Sequence, residues 1–295
     1  MKHEPQRWKT EYERDGCVVV EDVLDQESLT LLREGIETIT ADPDGVLPHL
    51  KRHCHLEADW ARSNPQYNPH RPESLGKVLR NIMELPLFDS RFAKLIFYEP
   101  VLVVLETLFE SREFHFHNYK CIIKAPKVSS EFPWHRDLPY LEHSTPNLIT
   151  AMLCLDDMTP DNGATVVIPG SHRIPHEQVK TEDVEIHPSD LPEGRHVTLC
   201  CPAGSAVFFH ASIVHGGPPN TTNRPRRNVI GIWAGPDTYP VTAARYAYQG
   251  LYPHSDDPVR QHQVRMTFAG CFGRSRNSII DFGQAGDPTT THQPA

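Results

Sequence analysis

The sequence predicts an α+β fold in which an antiparallel β-sandwich or barrel is backed by helices. Helical spacing of apolar residues dominates about residues 8–110. Over about 113–235, short runs rich in β-branched and aromatic residues alternate with turn residues. The chain shows no internal repeat and no clear linker. We therefore expect residues 1–295 to form a single domain with a C-terminal extension over about 236–295.

The N-terminal part begins with a short polar helix over about residues 8–14, followed by a strand over about 17–20. Asp25 can cap the next helix, because the apolar residues after it recur three or four positions apart on one face. Residues 74–109 return to helical spacing in three sets, and Pro100 can open the last of them. We therefore expect this part to be helical.

Residues 41–73 interrupt the helical pattern. Five prolines punctuate a segment rich in His, Arg and Asn, and so long an irregular stretch is typical of a lid, a binding loop or disorder. Trp60 and Tyr67 argue against simple disorder. Two interpretations stay open, a substrate-facing flap and a surface wrap.

The strand-rich part contains six short runs that alternate with turn residues. These runs cover residues 114–124, 148–155, 164–168, 196–200, 206–209 and 228–233. The segment 274–295 is polar and rich in Thr, Gln and Gly, so we expect it to form a loose tail.

Composition excludes several classes of function. A net charge of −9 and an isoelectric point near 6.0 argue against a general role in binding nucleic acid or an anionic membrane. The start has no apolar signal region and no run could span a bilayer, so we expect a soluble, cytoplasmic protein. Seven cysteines without a C-x-x-C pair argue against a disulfide framework or a Cys-rich zinc site.

An H-x-D motif at His135 and Asp137 is the most informative feature. On an extended strand, residues i and i+2 project from the same face, so both side chains can reach one metal ion. They would supply two ligands of a 2-His-1-carboxylate site, which leaves positions on non-haem Fe(II) open for a substrate and O2. His215 is the best third ligand, and Arg226 follows it by eleven residues. With 18 histidines in the chain, the order of all four residues is what makes the pattern informative.

Other histidines compete with this set. His115 and His117 alternate with phenylalanines on a strand and are expected to face solvent. His172 and His176 have the spacing of a helical zinc pair, but Pro175 between them opposes a helix. His210 is a closer rival to the third ligand, and we expect it to be structural or to lie behind the ligands.

Four motifs occur in a characteristic order. They are Trp-His-Arg-Asp at 134–137, Asp-Asn-Gly-Ala-Thr at 161–165 running into Ile-Pro-Gly-Ser-His at 168–172, His-Gly-Gly at 215–217 with Asn220, and Pro-Arg at 225–226. Through them, and through an opening Asp-Gly-Cys-Val-Val-Val at 15–20, the chain resembles the phytanoyl-CoA dioxygenase family of Fe(II)- and 2-oxoglutarate-dependent oxygenases. The resemblance covers most of residues 12–233.

This resemblance implies a double-stranded β-helix, a cupin-like jelly roll, with iron held by His135, Asp137 and His215. Arg226 would pair with the distal carboxylate of the cosubstrate 2-oxoglutarate, because a guanidinium matches a carboxylate and stays charged when desolvated. The keto acid end would chelate the iron and leave one position for O2. Decarboxylation to succinate and CO2 would be coupled to hydroxylation, or a related C–H oxidation, of a small molecule, with secondary metabolism as one setting.

Three further residues are candidate contacts to the cosubstrate. Alignment with the family strand before the metal motif offers Asn118 and Lys120, and Thr150 offers a hydroxyl from the next strand. Each could equally be a polar group satisfied within the sheet. Gly217 stands where many relatives have Ser, so we expect one hydroxyl contact to be missing. Asp137 disfavours halogenation, because halogenating relatives replace that carboxylate with a small residue.

Two other classes of function stay open, a cupin-like metal enzyme that does not use 2-oxoglutarate and a family-like binding protein without turnover. Arg226 opposes the first, because it would have no obvious task without an acidic cosubstrate. The basic residues of 41–73 either favour an acidic or partly aromatic substrate or simply solvate a loop. The substrate's identity and the oligomeric state, a homodimer included, are not predicted.

Overall fold

The structure is a computed structural model that describes residues 4–182, 184–242 and 246–267, so the expected tail at 274–295 lies outside the described residues. The helices are α1 (Pro5–Asp15), α2 (Gln26–Ala41), α3 (Glu57–Ser63), α4 (Ser90–Lys94), α5 (Glu99–Phe109), α6 (Leu138–Leu141) and α7 (Pro258–Thr267). In the part of the chain that is described, none of them combines the length and apolar character needed to cross a bilayer.

The strands form two antiparallel sheets. They are β1 (Cys17–Val20), β2 (Cys54–Leu56), β3 (Leu79–Met83), β4 (His115–Lys124), β5 (Phe132–His135), β6 (Leu148–Cys154), β7 (Val166–Val167), β8 (Val197–Thr198), β9 (Ala206–His210), β10 (His215–Gly217) and β11 (Arg226–Ala234). The larger sheet has the order β1-β9-β6-β11-β4-β3-β2, and the smaller sheet has the order β5-β10-β7-β8. The predicted α+β architecture is confirmed.

Two hydrophobic clusters hold these layers together. The larger cluster joins helices to the seven-stranded sheet through residues such as Leu32, Ile36 and Trp233. The other contains Val167 of the small sheet together with Phe209 of the large sheet. The large sheet is therefore covered by helices on one face, and its other face contributes to a core shared with the small sheet.

Two helix starts that local sequence predicts are present. The Asp25 side chain accepts a hydrogen bond from the backbone N–H of Ser28 at 2.7 Å, which satisfies a donor that α2 itself leaves unpaired. Pro100 lies in the first turn of α5, where its missing N–H has no cost.

The helical prediction for the beginning of 74–109 is wrong. Leu79 to Met83 form β3, which pairs with β4 through Asn81 opposite Ile122. Residues 41–73 also contain more regular structure than predicted, namely β2 and α3. At β3, pairing with a distant strand outweighs the local spacing of apolar residues.

His115 and His117 do not face solvent as predicted, because each is 3% exposed. The segment after β11 covers them. The carbonyl oxygen of Thr238 lies 2.8 Å from His115 Nε2, and the ring centroid of Tyr246 lies 4.8 Å from that of His117. The C-terminal extension therefore buries this edge of β4.

Candidate metal centre and adjoining cavities

Two histidines meet because they lie on paired strands. In the β5–β10 ladder His135 stands directly opposite His215, and their ring centroids are 4.2 Å apart. Gly216 allows the two strands this approach, because a Cβ there would lie only 3.0 Å from the carbonyl oxygen of Phe132. The ladder thus fixes the spacing of the two imidazoles.

Asp137 completes the group. Its Oδ1 lies 3.9 Å from His135 Nε2 and 4.0 Å from His215 Nε2, and the candidate ligand atoms of all three residues lie within 4.8 Å of one another. The carboxylate does not project from the strand as predicted. β5 ends at His135, and Asp137 has helical backbone angles at the start of α6. A turn brings the carboxylate to the imidazoles.

Backbone carbonyls orient both rings. His135 Nδ1 lies 2.8 Å from the carbonyl oxygen of Pro133, and His215 Nδ1 lies 3.1 Å from that of Ile213. A hydrogen on Nδ1 would satisfy each carbonyl and leave Nε2 with a free lone pair near Asp137. Metal-binding histidines commonly have this arrangement.

The electrostatics favour an ionised carboxylate at Asp137 and a neutral imidazole at His135. Burial alone would raise the pKa of Asp137, but charge on His215, Lys120 and His135 and a hydrogen bond from Thr150 lower it below its ordinary value. Burial, followed by the neighbouring His215, lowers the pKa of His135. These are the protonation states in which both residue types bind metal.

A cavity of about 80 Å³ adjoins the three ligand side chains, and Arg226 lies in its wall. Arg226 is 3% exposed, and burial lowers its pKa to about 10, so the guanidinium is charged at neutral pH. Nη2 donates to the carbonyl oxygen of Gly163 at 2.9 Å, and Nη1 donates to the amide oxygen of Asn228 at 2.6 Å once that amide is oriented to accept. Nε has no partner among the described residues.

The described residues give this guanidinium no carboxylate within ion-pair distance, 4.0 Å. Burying an unpaired charge is costly, so a buried Arg in a cavity wall indicates an anionic ligand. The two imidazoles and the carboxylate match the ligand types of non-haem iron. The residues present therefore fit both an Fe(II) ion and an acidic cosubstrate.

Of the three other predicted cosubstrate contacts, only one lines the cavity. Lys120 lies in the wall of the cavity, whereas Asn118 and Thr150 are not among its lining residues. Thr150 instead donates a hydrogen bond to Asp137 Oδ2 at 2.9 Å. Asn118 lies on β4, as Lys120 does. It is buried, and its Oδ1 has no partner in the described chain. Thr150 therefore acts on a ligand, in a contact that sequence reasoning did not foresee.

His210 lies outside the ligand group. Its ring centroid is 5.6 Å from that of His172, and its Nδ1 accepts from the backbone N–H of Ser212 at 3.0 Å. Both histidines belong to a separate cluster near the end of α1, where the Tyr12 ring lies 6.4 Å from that of His210. The preference for His215 over His210 agrees with this geometry.

A second cavity, of about 590 Å³, lies beside His135, and we call it the mouth cavity. Tyr140 lines it, and the ring centroid of Tyr140 is 6.0 Å from that of His135. Glu185 also lines it, directly opposite His135 in a backbone bridge, and accepts a hydrogen bond from the Tyr67 hydroxyl at 2.8 Å. Its wall combines aromatic rings with carboxylates, namely Trp60, Tyr67, Tyr140, Glu182 and Glu185.

Residues 41–73, which we call the flap, are hydrogen-bonded to the segment just before β5, the strand that carries His135. Buried Glu57 accepts a hydrogen bond from the backbone N–H of Ser130 at 2.6 Å, and the Asn68 amide donates to the Ser130 hydroxyl at 3.0 Å. The flap's Trp60 and Tyr67 line the mouth cavity, which favours the substrate-facing interpretation over the surface wrap. The prediction of an acidic substrate depended on the flap's basic residues, which are Lys51, Arg52, Arg62 and Arg71. They are exposed and do not line the mouth cavity, as expected if they only solvate a loop.

An Arg stacks the flap against the cavity wall. The Arg80 guanidinium lies 4.2 Å from the Trp60 ring centroid and 3.9 Å from that of Phe132, which lines the smaller cavity. Such cation–π contacts are stronger when desolvated. Sequence reasoning missed Arg80, because no local pattern distinguishes it from other basic residues.

The phytanoyl-CoA dioxygenase (PhyH) family matches residues 12–228. An ectoine dioxygenase of Sphingopyxis alaskensis is 24% identical over 250 residues, covering 75% of this chain and 73% of that protein. An L-proline trans-4-hydroxylase of Streptomyces griseoviridis is 27% identical over 252 residues, covering 76% of this chain and 84% of that protein.

A solved structure gives the same fold. The non-haem α-ketoglutarate-dependent epimerase SnoN from nogalamycin biosynthesis aligns with a TM-score of 0.62 and 20% identity, over 83% of this chain and 93% of that chain. This likeness confirms the predicted jelly-roll fold.

Proposed function

Because the chain belongs to the phytanoyl-CoA dioxygenase family, it is an Fe(II)- and 2-oxoglutarate-dependent dioxygenase, and we propose that His135, Asp137 and His215 hold its iron. Arg226 binds the distal carboxylate of 2-oxoglutarate. The reaction decarboxylates 2-oxoglutarate to succinate and CO2 and couples this to hydroxylation, or a related C–H oxidation, of a small molecule.

One observation carries the residue assignment. A buried, charged Arg226 with no carboxylate partner in the described chain shares a cavity with two imidazoles and a carboxylate. A metal enzyme without an acidic cosubstrate would have no use for that cation, and a binding protein without turnover would have no use for the complete ligand set.

The residues around the ligands have positioning roles. The bound iron supplies the redox chemistry that O2 activation requires. Thr150 holds Asp137 Oδ2, which leaves Oδ1 near both Nε2 atoms, and the carbonyls of Pro133 and Ile213 fix the rings.

The test is an anaerobic titration of metal-free protein with Fe(II) and then 2-oxoglutarate, monitored by the visible charge-transfer band of the chelated keto acid. We expect the band to saturate at one equivalent of each. Iron binding without the band would indicate a metal-dependent enzyme that does not use 2-oxoglutarate. Absence of iron binding would favour a protein without turnover.

We propose further that the mouth cavity binds the substrate and that the substrate carries a cationic group. The carboxylates of Glu182 and Glu185 attract positive charge, and the rings of Tyr67 and Tyr140 stabilise it through their faces. Tyr140 and Glu185 both lie against His135, so a molecule held there would present a C–H bond to the metal side. The two relatives are named for ectoine and L-proline, which are also small molecules.

A panel of small amines, quaternary ammonium compounds, neutral compounds and carboxylic acids tests this proposal through stimulated succinate release. We expect stimulation by cationic members and weaker apparent affinity for them in Glu185→Gln. Glu177→Gln, which changes an exposed carboxylate outside the cavity wall, is the matched control. Stimulation by acids alone would overturn the substrate class while leaving the cosubstrate chemistry intact.

We also propose that the chain is one catalytic domain that works in the cytoplasm. The single-domain organisation is supported by the large sheet, whose strands are drawn from residues 17–234. The cytoplasm is supported by the thiols: Cys154 and Cys201 stay unpaired although their sulfurs are 3.6 Å apart, a proximity suited to a reducing compartment. Limited proteolysis and localisation of a tagged chain test these two statements.

A further inference from the structure

Lys124 is a buried lysine to which the proposed function gives no task. It is 1% exposed and lies in the wall of the same cavity as Arg226. In the β4–β11 ladder the two residues are directly opposite each other. Like charges at such positions destabilise a sheet, because opposite Cβ atoms are only about 5 Å apart.

The contacts of the ammonium group do not neutralise it. Nζ donates to the carbonyl oxygen of Gly217 at 3.0 Å and to that of Pro218. An ammonium has three N–H donors, so these contacts leave one donor for the cavity. No carboxylate of the described residues lies within the 4.0 Å ion-pair distance of Nζ.

Two glycines make room for this side chain. A Cβ on Gly163 would lie 2.9 Å from Lys124 Nζ, and one on Gly217 would lie 3.5 Å from it. Gly217 also offers no side-chain donor of its own at this point of the wall. The ammonium therefore occupies space that a larger residue at either position would contest.

We propose that Lys124 binds the distal carboxylate of 2-oxoglutarate together with Arg226, and supplies the donor that Gly217 lacks. One carboxylate between the two cations relieves their mutual repulsion and accepts charge-assisted hydrogen bonds from both. This inference rests on the proposed function, since it concerns the same cosubstrate. It makes Lys124 a determinant of selectivity for a dicarboxylic keto acid.

The test compares Lys124→Met with Lys127→Met, a control that removes an exposed lysine three residues away. Anaerobic Fe(II) protein is titrated with 2-oxoglutarate and with 2-oxopentanoate, which chelates in the same way but has a methyl group where the distal carboxylate would be. Loss of one charge-assisted hydrogen bond should weaken 2-oxoglutarate binding by about 10- to 100-fold. The affinity for 2-oxopentanoate should stay within about two-fold, and Lys127→Met should match the unmodified protein on both acids.

The outcomes separate this inference from the proposed function. If the unmodified protein gives no charge-transfer band, the proposed function fails. If it gives the band and Lys124→Met binds 2-oxoglutarate equally well, the inference is wrong. Equal weakening for both acids would also overturn it, because Lys124 would then only shape the cavity. A hydroxyl restored by Gly217→Ser in the Lys124→Met background should recover part of the lost affinity.

The pH dependence of binding provides a readout that needs no variant. Burial lowers the pKa of Lys124 well below its ordinary value, followed in effect by Arg226 and Arg80, against the opposing charges of Glu131 and Glu57. Only the protonated amine attracts a carboxylate, so the preference for 2-oxoglutarate over 2-oxopentanoate should fall as pH rises, already in the unmodified protein. A preference that stayed constant over the whole pH range in which the protein remains folded would contradict the inference even if Lys124→Met did not fold.

Discussion

Replacing Thr150 by Val should weaken metal binding without touching a ligand. Thr150 is 1% exposed and donates one hydrogen bond, of 2.9 Å, to the Oδ2 atom of Asp137. A hydrogen bond to a charged group contributes about 1.5–3 kcal/mol, which corresponds to about 10- to 100-fold in an equilibrium constant. Partners that orient a ligand have effects of this size on metal affinity, about 10- to 100-fold. Val preserves the shape, so the change isolates the hydroxyl.

The assay is an anaerobic competition between the metal-free protein and a coloured chelator for Fe(II), with Mn(II) as an ion that resists oxidation. Thr150→Ser should restore affinity because it keeps the hydroxyl. Thr107→Val in α5, which loses a hydrogen bond of 2.9 Å to Val103 away from the cavity, controls for removal of a threonine hydroxyl. Unchanged metal affinity combined with weaker 2-oxoglutarate binding would refute this reasoning and return Thr150 to the role expected from sequence.

Three further substitutions test the rest of the assignment. His135→Ala removes one of three ligands, so Fe(II) binding should be lost in the anaerobic titration, and full binding would place the metal elsewhere. Arg226→Ala should retain iron but weaken 2-oxoglutarate by roughly 30-fold or more, because truncating one partner of a buried charge pair costs about 2–5 kcal/mol. An unchanged 2-oxoglutarate midpoint would show that Arg226 has another role. Glu57→Gln removes the charge that accepts from Ser130, so urea unfolding should show a loss of about 1.5–3 kcal/mol, whereas exposed Glu73→Gln should stay within about 0.5 kcal/mol. Equal stability of these last two variants would contradict the anchoring role of Glu57.

Local signals predicted a large part of this fold. The cap at Asp25 and the proline at Pro100 each act within one helical turn, so their consequences can be read from adjacent residues. The set of His135, Asp137 and His215 was predicted from residue type and order, and its members do lie together. Such chemistry is readable because few residue types can bind a metal.

Features that depend on distant pairing were not predictable. β3 shows helical spacing in its sequence, yet its partners on β4 lie about forty residues later, as in the pairing of Asn81 with Ile122. His115 and His117 looked solvent-facing because the residues that cover them follow β11. A single sequence gives no register between such segments.

The position of Lys124 in the cavity wall could have been predicted from the alternation of side chains along its strand. Lys120 was offered by the family resemblance as a candidate cosubstrate contact, and side chains two and four positions later on a strand point to the same face. Extending that alternation by two steps reaches Lys124, which does line the cavity. The alternation does not predict that the Lys124 side chain is buried, because its burial depends on Gly163 and Gly217 in other segments.

The spacing of the two imidazoles also depends on a residue that binds nothing. A Cβ at Gly216 would lie 3.0 Å from the carbonyl oxygen of Phe132 and 3.4 Å from that of Pro133, so a side chain there would require a small shift of β5 relative to β10. A chain could therefore keep all three ligands and still have a changed imidazole spacing through one substitution beside His215. When uncharacterised sequences are screened for this chemistry, the glycine after the second histidine should be weighed together with the ligands themselves.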